Sequence, residues 1–154
     1  MISWQVKQFK TLNTNELFEL LKLRVDVFVV EQNCAYPELD EKDRHADSYH
    51  LMGFKDNELV ACARLLAPGV SYPSASIGRV ATAKNHRGDG LGKLLMREAI
   101  THCEKIWPTH DIEIGAQEYL KAFYKSFGFV STSTMYLEDD IPHIDMKRSR
   151  AQRF

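Results

Sequence analysis

The residues with the most chemical promise form one run in mid-chain, Arg87-Gly88-Asp89-Gly90-Leu91-Gly92-Lys93, shortly after Val80-Ala81-Thr82. Alternate glycines let a backbone turn at positive φ and approach a ligand closely. If a helix begins there, its first N–H groups are unpaired and the macrodipole favours an anion, so a phosphate-bearing ligand fits. A Walker A loop is excluded: Gly88 and Gly92 enclose too few residues, and Leu94 stands where a magnesium-binding hydroxyl is needed. A dinucleotide fingerprint fits poorly, because the third glycine, Gly92, comes one position early and Lys93 takes its place. What is left is Arg-x-x-Gly-x-Gly, carried by Arg87, Gly90 and Gly92. Arg87 either adds a charge-assisted contact to an anion or holds the turn together. The plain alternative is a glycine turn that only joins a strand to a helix. Asp89 is compatible with an anion loop only if its side chain faces outward.

Acid–base chemistry has several candidates. Tyr124 lies in Phe123-Tyr124-Lys125-Ser126-Phe127-Gly128-Phe129, where a phenol can donate to a leaving group or simply pack. Glu31, Glu38, His50, Glu118 and His143 are the candidate bases, with ordered water as an alternative. His143, after Pro142 on a terminal strand, can line a substrate side, although a lone histidine is more often structural. Cys34, with His45 and His50 downstream, is either a nucleophile or a small packed residue, and packing is the better reading. The stretch from Glu31 to Asp47 is acidic, with Glu31, Glu38, Asp40, Glu41, Asp43 and Asp47 against Lys42 and Arg44. It would attract a cation, or it is merely a solvated face. Arg24, within an otherwise apolar helix face, reads as the partner of one of those carboxylates.

These residues need elements to place them. Trp4 to Phe9 alternates and predicts a strand. Asn13 or Thr14 caps a helix through about Val30, with Leu17, Leu20, Leu21, Arg24, Val25 and Phe28 on one face. Glu31 to Asp47 is a long loop or broken helix of the kind that carries function. Ser48 to Phe54 and Leu59 to Leu66 predict a hairpin with Asp56-Asn57 in the turn. A strand from Ser74 to Thr82 enters the glycine turn. A helix from about Gly90 to Trp107 follows, with Leu91, Leu94, Leu95, Ile100, Cys103 and Ile106 inward and Pro108 ending it. Asp111 to Ala116 reads as a buried strand and Glu118 to Ser126 as a short helix. Phe129 to Tyr136 and His143 to Lys147 read as closing strands. The order β-α-β-β-β-α-β-α-β-β is that of an α/β domain with a mixed central sheet flanked by helices.

The 154 residues suit one domain, 1–154, and a length near 150 is enough to bury a core. The hydrophobic share of 44% and charged share of 27% are those of a globular chain. Twenty Lys+Arg against 21 Asp+Glu leave a net charge of −1, which argues against nucleic acid as a partner. Cys34, Cys62 and Cys103 lack ligand spacing, so no metal is expected and the thiols read as reduced in a cytoplasmic protein. No apolar run approaches about 18 residues and Met1-Ile2-Ser3-Trp4 starts no signal segment, so neither membrane nor export is expected.

The Arg87–Gly92 motif in its setting resembles the pyrophosphate loop of the GNAT acyl-CoA N-acyltransferases. The setting is Val80-Ala81-Thr82 before it, a helix after it, then a strand, a short helix and Tyr124 ahead of Gly128-Phe129. Arg24-x-x-Val27-Phe28-Val29-Val30-Glu31-Gln32-Asn33-Cys34-x-Tyr36, Gly115-Ala116-Gln117 and Ile141-Pro142-His143-Ile144 are similar to the ElaA-like branch of that superfamily. The resemblance runs from about Trp4 to Met146. It implies a sheet splayed between its fourth and fifth strands, with acetyl-CoA as cosubstrate in the gap. Val80, Ala81 and Thr82 would pair with the pantetheine arm. The N–H groups from Arg87 through Gly88, Asp89, Gly90, Leu91, Gly92 and Lys93 would hold the pyrophosphate. Gln117 stands where many relatives carry Asn and would reach the cofactor. Tyr124 would protonate the departing thiolate, and His143 would serve the acceptor side. The implied reaction is direct transfer of an acetyl group to a primary amine, small molecule or peptide, without a covalent enzyme intermediate. A non-catalytic acyl-CoA-binding or regulatory module is the alternative. The segment from Arg24 to Glu31 is also similar to acyl-homoserine-lactone synthases, which share the fold. Edge strands near the C-terminal end offer a route to a homodimer.

Overall fold

The computed structural model describes residues 1–150, so the last four residues of the expected 1–154 domain lie outside the described residues. Within the described residues eight strands form a single sheet: β1 (Ser3–Gln8), β2 (Ser48–Lys55), β3 (Glu58–Leu66), β4 (Ala75–Thr82), β5 (Ile112–Gln117), β6 (Val130–Ser131), β7 (Tyr136–Glu138) and β8 (Ile141–Arg148). Their order is β1-β2-β3-β4-β5-β8-β6, with β7 also on β8. Among the described residues only the β4–β5 pair is parallel. The sheet is therefore mixed, as the element order predicts. Asp56 and Asn57 turn β2 into β3 with φ of 52° and 67°, and Asp139 and Asp140 turn β7 into β8 with 49° and 63°. Paired positive φ values match the right-handed twist of the strands they join, which short polar Asn and Asp tolerate best.

The expected strand from Phe129 to Tyr136 is broken into β6 and β7. At the break the Asp145 N–H donates to the Ser133 hydroxyl at 2.9 Å, while the Thr132 N–H donates to the Asp145 carbonyl at 2.8 Å. A side chain thus replaces a ladder acceptor, and the pattern of alternating residues does not reveal that exchange.

Among the described residues three α-helices flank the sheet: α1 (Thr14–Val25), α2 (Leu91–Ile106) and α3 (Lys121–Lys125). Asn13 caps α1 and forms a reciprocal box with Glu16. Leu20, Leu23 and Val27 pack with Met52, Cys62 and Ala81 on one face of the sheet. On the other face, α2 buries Leu91, Leu95, Met96, Ala99, Ile100 and Cys103 against Leu51, Val60, Ile77 and Ile114. Leu94, expected inward, is 43% exposed, because Met96 and Ala99 complete the three- and four-residue stripe instead. The helix expected to reach Val30 keeps α-geometry only to Val25. From Asp26 to Glu31 it widens, and the Cys34 N–H donates five residues back to the Val29 carbonyl at 3.0 Å. Such wide turns recur at functional sites.

The feature that makes room for a ligand is a split in the sheet. β4 and β5 pair only at Ala75–Ile112 and Ser76–Glu113, then part. β4 also bulges against β3: Cys62 faces Ala81 and Arg64 faces Gly78, so β4 holds one residue more between those pairs than β3 does, and Arg79 stands at φ 48°. A bulge bends its strand and sharpens the local twist. Here it lies where β4 parts from β5.

Candidate active site

Between the parted strands lies a cleft of about 770 Å³. β4 contributes Val80, β5 contributes Gln117, α3 contributes Tyr124 and β8 contributes His143, while Cys34 and Tyr36 close it from the long loop. Four residues singled out from sequence, Val80, Gln117, Tyr124 and His143, thus converge from four elements. Gln117 and His143 are register partners on adjacent strands. The Gln117 amide donates to Gln32 at 3.4 Å, across to the segment after the wide turn.

The glycine loop runs from β4 to α2. Gly88 and Gly90 take φ of 105° and 78°, and Gly90 is the N-cap of α2 with no capping side chain. The first N–H groups of a sixteen-residue helix are thus left without a side-chain partner. Asp89 and Lys93 are exposed, whereas the Leu91 side chain belongs to the core. Arg87 holds the turn. Its guanidinium donates to the Thr82 carbonyl at 2.8 Å and to both Glu31 oxygens at 2.5 and 2.9 Å. That hydrogen bond holds the Glu31 carboxyl below its ordinary range. The Thr82 carbonyl and hydroxyl both accept from Arg87. Ala81 is buried beneath α1.

Tyr124 is 8% exposed and its ring packs edge-on against Phe123 and Phe129. Burial, followed by the charge of Tyr119, pushes its phenol up to about 12. The His143 ring nitrogen Nδ1 lies 2.7 Å from the Ile141 carbonyl. A carbonyl only accepts, so Nδ1 carries the proton and Nε2 is the free acceptor in the neutral ring. Nε2 lies 3.5 Å from Glu138, which would pair with the ring once protonated.

The other expected bases are placed elsewhere. Glu31 is tied to Arg87, and Glu118 is exposed outside the cleft lining. His50 is buried on the α1 side, where burial pushes its imidazole below its ordinary value, and bonds the Asp43 carbonyl at 2.8 Å. Cys34 lines the cleft without a neighbouring histidine bond, its Sγ 3.7 Å from the Asp139 carbonyl. Among the described residues, no group of three or more His, Cys, Asp and Glu is placed to hold a metal ion. No helix among them is long and apolar enough to cross a membrane.

The Acetyltransferase (GNAT) domain family matches residues 22–150. The chain belongs to the GNAT acetyltransferase family. It is 42% identical to the protein ElaA of Escherichia coli (strain K12) over 99% of each chain. A crystal structure of Escherichia coli ElaA superposes with a TM-score of 0.91 over 97% of this chain and all of the other. An acyl-CoA N-acyltransferase from Pseudomonas aeruginosa superposes with a TM-score of 0.93 at 43% identity, again over 97% and 100%. An acyl-homoserine lactone synthase, BjaI, shares the fold alone, at 16% identity.

Within this GNAT chain the acidic loop is not the solvated face that its composition allows. Arg24 is 1% exposed and donates to Glu38 and Asp43, each at 2.7 Å. Arg64 donates to Asp40 at 2.8 Å and Asp43 at 2.9 Å. Arg79, on the bulge, donates to Glu38 at 2.9 Å and covers the Tyr36 ring, whose hydroxyl bonds Glu38. Three cations meet three anions, so Glu38, Asp40 and Asp43 are already paired, and Lys42 of the same loop also lines the cleft. The expectation that this loop draws in a cation is corrected accordingly. Arg24 pairs as expected; Arg64 and Arg79 are the members missed. Their signal is a charged residue inside an apolar strand, as Arg64 is between Leu59 and Leu66.

Proposed function

We propose that this acyltransferase uses acetyl-CoA and passes the acetyl group directly to a primary amine, a small molecule or a peptide. The observation that carries this reading is the split between β4 and β5, which leaves a cleft with Val80, Gln117, Tyr124 and His143 on its walls, while the uncapped Gly90 end of α2 follows β4 in the chain. The residues present fit the cosubstrate. N–H groups from Arg87 to Gly92 would hold the pyrophosphate, with Lys93 beside them and Arg87 and Glu31 bracing the loop. The backbone of Val80 to Thr82 would pair with the pantetheine amides as an added strand does, with Gln117 opposite.

The bound thioester supplies an electrophilic carbonyl. Around it, a backbone N–H near Val80 would meet the developing oxyanion. The Nε2 of His143 would take the proton that an ammonium must lose before its nitrogen can attack. The new C–N bond forms as the C–S bond breaks, and the Tyr124 hydroxyl would donate to the departing sulfur. Calorimetric titration with acetyl-CoA, with thiol release followed over a panel of amines, tests the reading. Micromolar binding weakened in Gly90→Val, together with amine-dependent thiol release, supports it. Binding without release by any amine would leave a non-catalytic acyl-CoA module, and no binding would overturn both.

A further inference from the structure

The carboxylates Glu38, Asp40 and Asp43 of the loop are paired with arginines, but a carboxylate on the wall opposite is not. Asp145 of β8 lines the cleft beside its register partner Gly115 of β5. The hydroxyls of Tyr72 and Tyr136 both donate to its Oδ1, at 3.1 and 2.7 Å. Among the described residues no lysine, arginine or histidine forms an ion pair with it. A half-buried carboxylate without a countercharge is costly, and two neutral phenols offset only part of that cost.

Gly115 is what lets the three side chains close over the sheet. A Cβ there would stand 3.1 Å from the Tyr136 oxygen and 3.2 Å from the Tyr72 oxygen. His143 lies two residues away along the same strand and on the same face, a spacing of about 7 Å. Tyr136 stacks on the His143 ring, so the anionic corner and the imidazole share one wall. Ligand pockets are oriented by a few polar groups of this kind. The reacting nitrogen must be neutral to attack, and a carboxylate holding its ammonium would oppose that. The carboxylate is better matched to a different nitrogen of the same acceptor.

We propose that Asp145, oriented by Tyr72 and Tyr136, is the specificity-determining residue for the acceptor and takes a second cationic group on it. The substrate class is then a small diamine or diamino compound with a short chain between its nitrogens. This rests on the N-acetyltransferase reading above. A monoamine of the same length would reach His143 but leave Asp145 without a partner.

The test compares diaminopentane with aminopentane at saturating acetyl-CoA, in the wild type and in Asp145→Asn, alongside acetyl-CoA titrations of both proteins. The wild type is expected to use the diamine with a kcat/KM about 10- to 100-fold higher. In Asp145→Asn that ratio falls towards one, through KM more than kcat, while acetyl-CoA binding and the melting temperature show the fold retained. Equal use of both amines by the wild type, or a ratio unchanged in the variant, overturns the inference and leaves acetyl transfer standing. If the variant fails to fold, the wild-type ratio decides alone. Absence of acetyl-CoA binding removes the parent reading and this inference with it.

Discussion

Tyr124 is held in a setting that keeps its phenol protonated: burial first, then the charge of Tyr119, raises it to about 12. The neutral form is the donor, so its contribution is complete at physiological pH and fades only as the pH nears that value. An alkaline decline in rate at lower pH therefore belongs to another group. Tyr124→Phe is expected to lower kcat about 100-fold while acetyl-CoA affinity changes little, read by initial rates and calorimetry. It is also expected to leave any decline below about pH 10 in place, read from the pH–rate profile. An unchanged kcat removes Tyr124 from the chemistry. His143 is prepared differently, since its Nδ1–H bond to Ile141 presents Nε2 to the cleft. His143→Gln keeps a polar tip but loses the ring acceptor, and a kcat about 100-fold lower with acetyl-CoA affinity little changed is the expected result.

At the scale of elements, the cleft depends on how the long loop is anchored to α1, β3 and β4. Arg24→Met leaves Glu38 and Asp43 buried with less compensation, an error costing about 3–5 kcal/mol. A fall in melting temperature of many degrees would record it; a shift near zero would mean that the network is dispensable. Much of this level was legible beforehand. Asn13 is one of the two caps expected for α1, Asp56-Asn57 spells a hairpin turn, and Gly88 and Gly90 a loop that only glycine builds comfortably. The bulge at Arg79 and the break at Ser133 were not, because each is settled by a partner strand rather than by local pattern. The convergence of Gln117, Tyr124 and His143 followed from family resemblance, and no local spacing dictates it. The pairing of Arg24 with Glu38 was half visible, as an arginine on an apolar stripe, but its second and third arginines come from strands 40 and 55 residues further on. Asp145 went unnoticed because Tyr72, Tyr136 and Gly115 are brought to it only by the sheet.

The whole molecule should feel acid through the same network. Burial alone would raise the Asp43 carboxyl, but Arg24, the Asp40 N–H and Arg64 outweigh it and hold it at about 2 against an ordinary 3.8. A depressed carboxyl contributes stability above its unfolded value, and that contribution, about 2 kcal/mol, is lost as pH falls from about 4 towards about 2. Urea midpoints measured across that window should drop steeply in the wild type and less so in Asp43→Asn. Equal slopes would sink the assignment. The arrangement also bears on how such a chain can change over generations. Glu38 serves two arginines and a tyrosine, and Arg24 serves two carboxylates, so altering one strands another in a dry interior. Random drift through these positions is blocked one letter at a time. A new lineage reaches a different wall here only by replacing the set together, while the exposed Phe18 or Leu137 is free to vary alone.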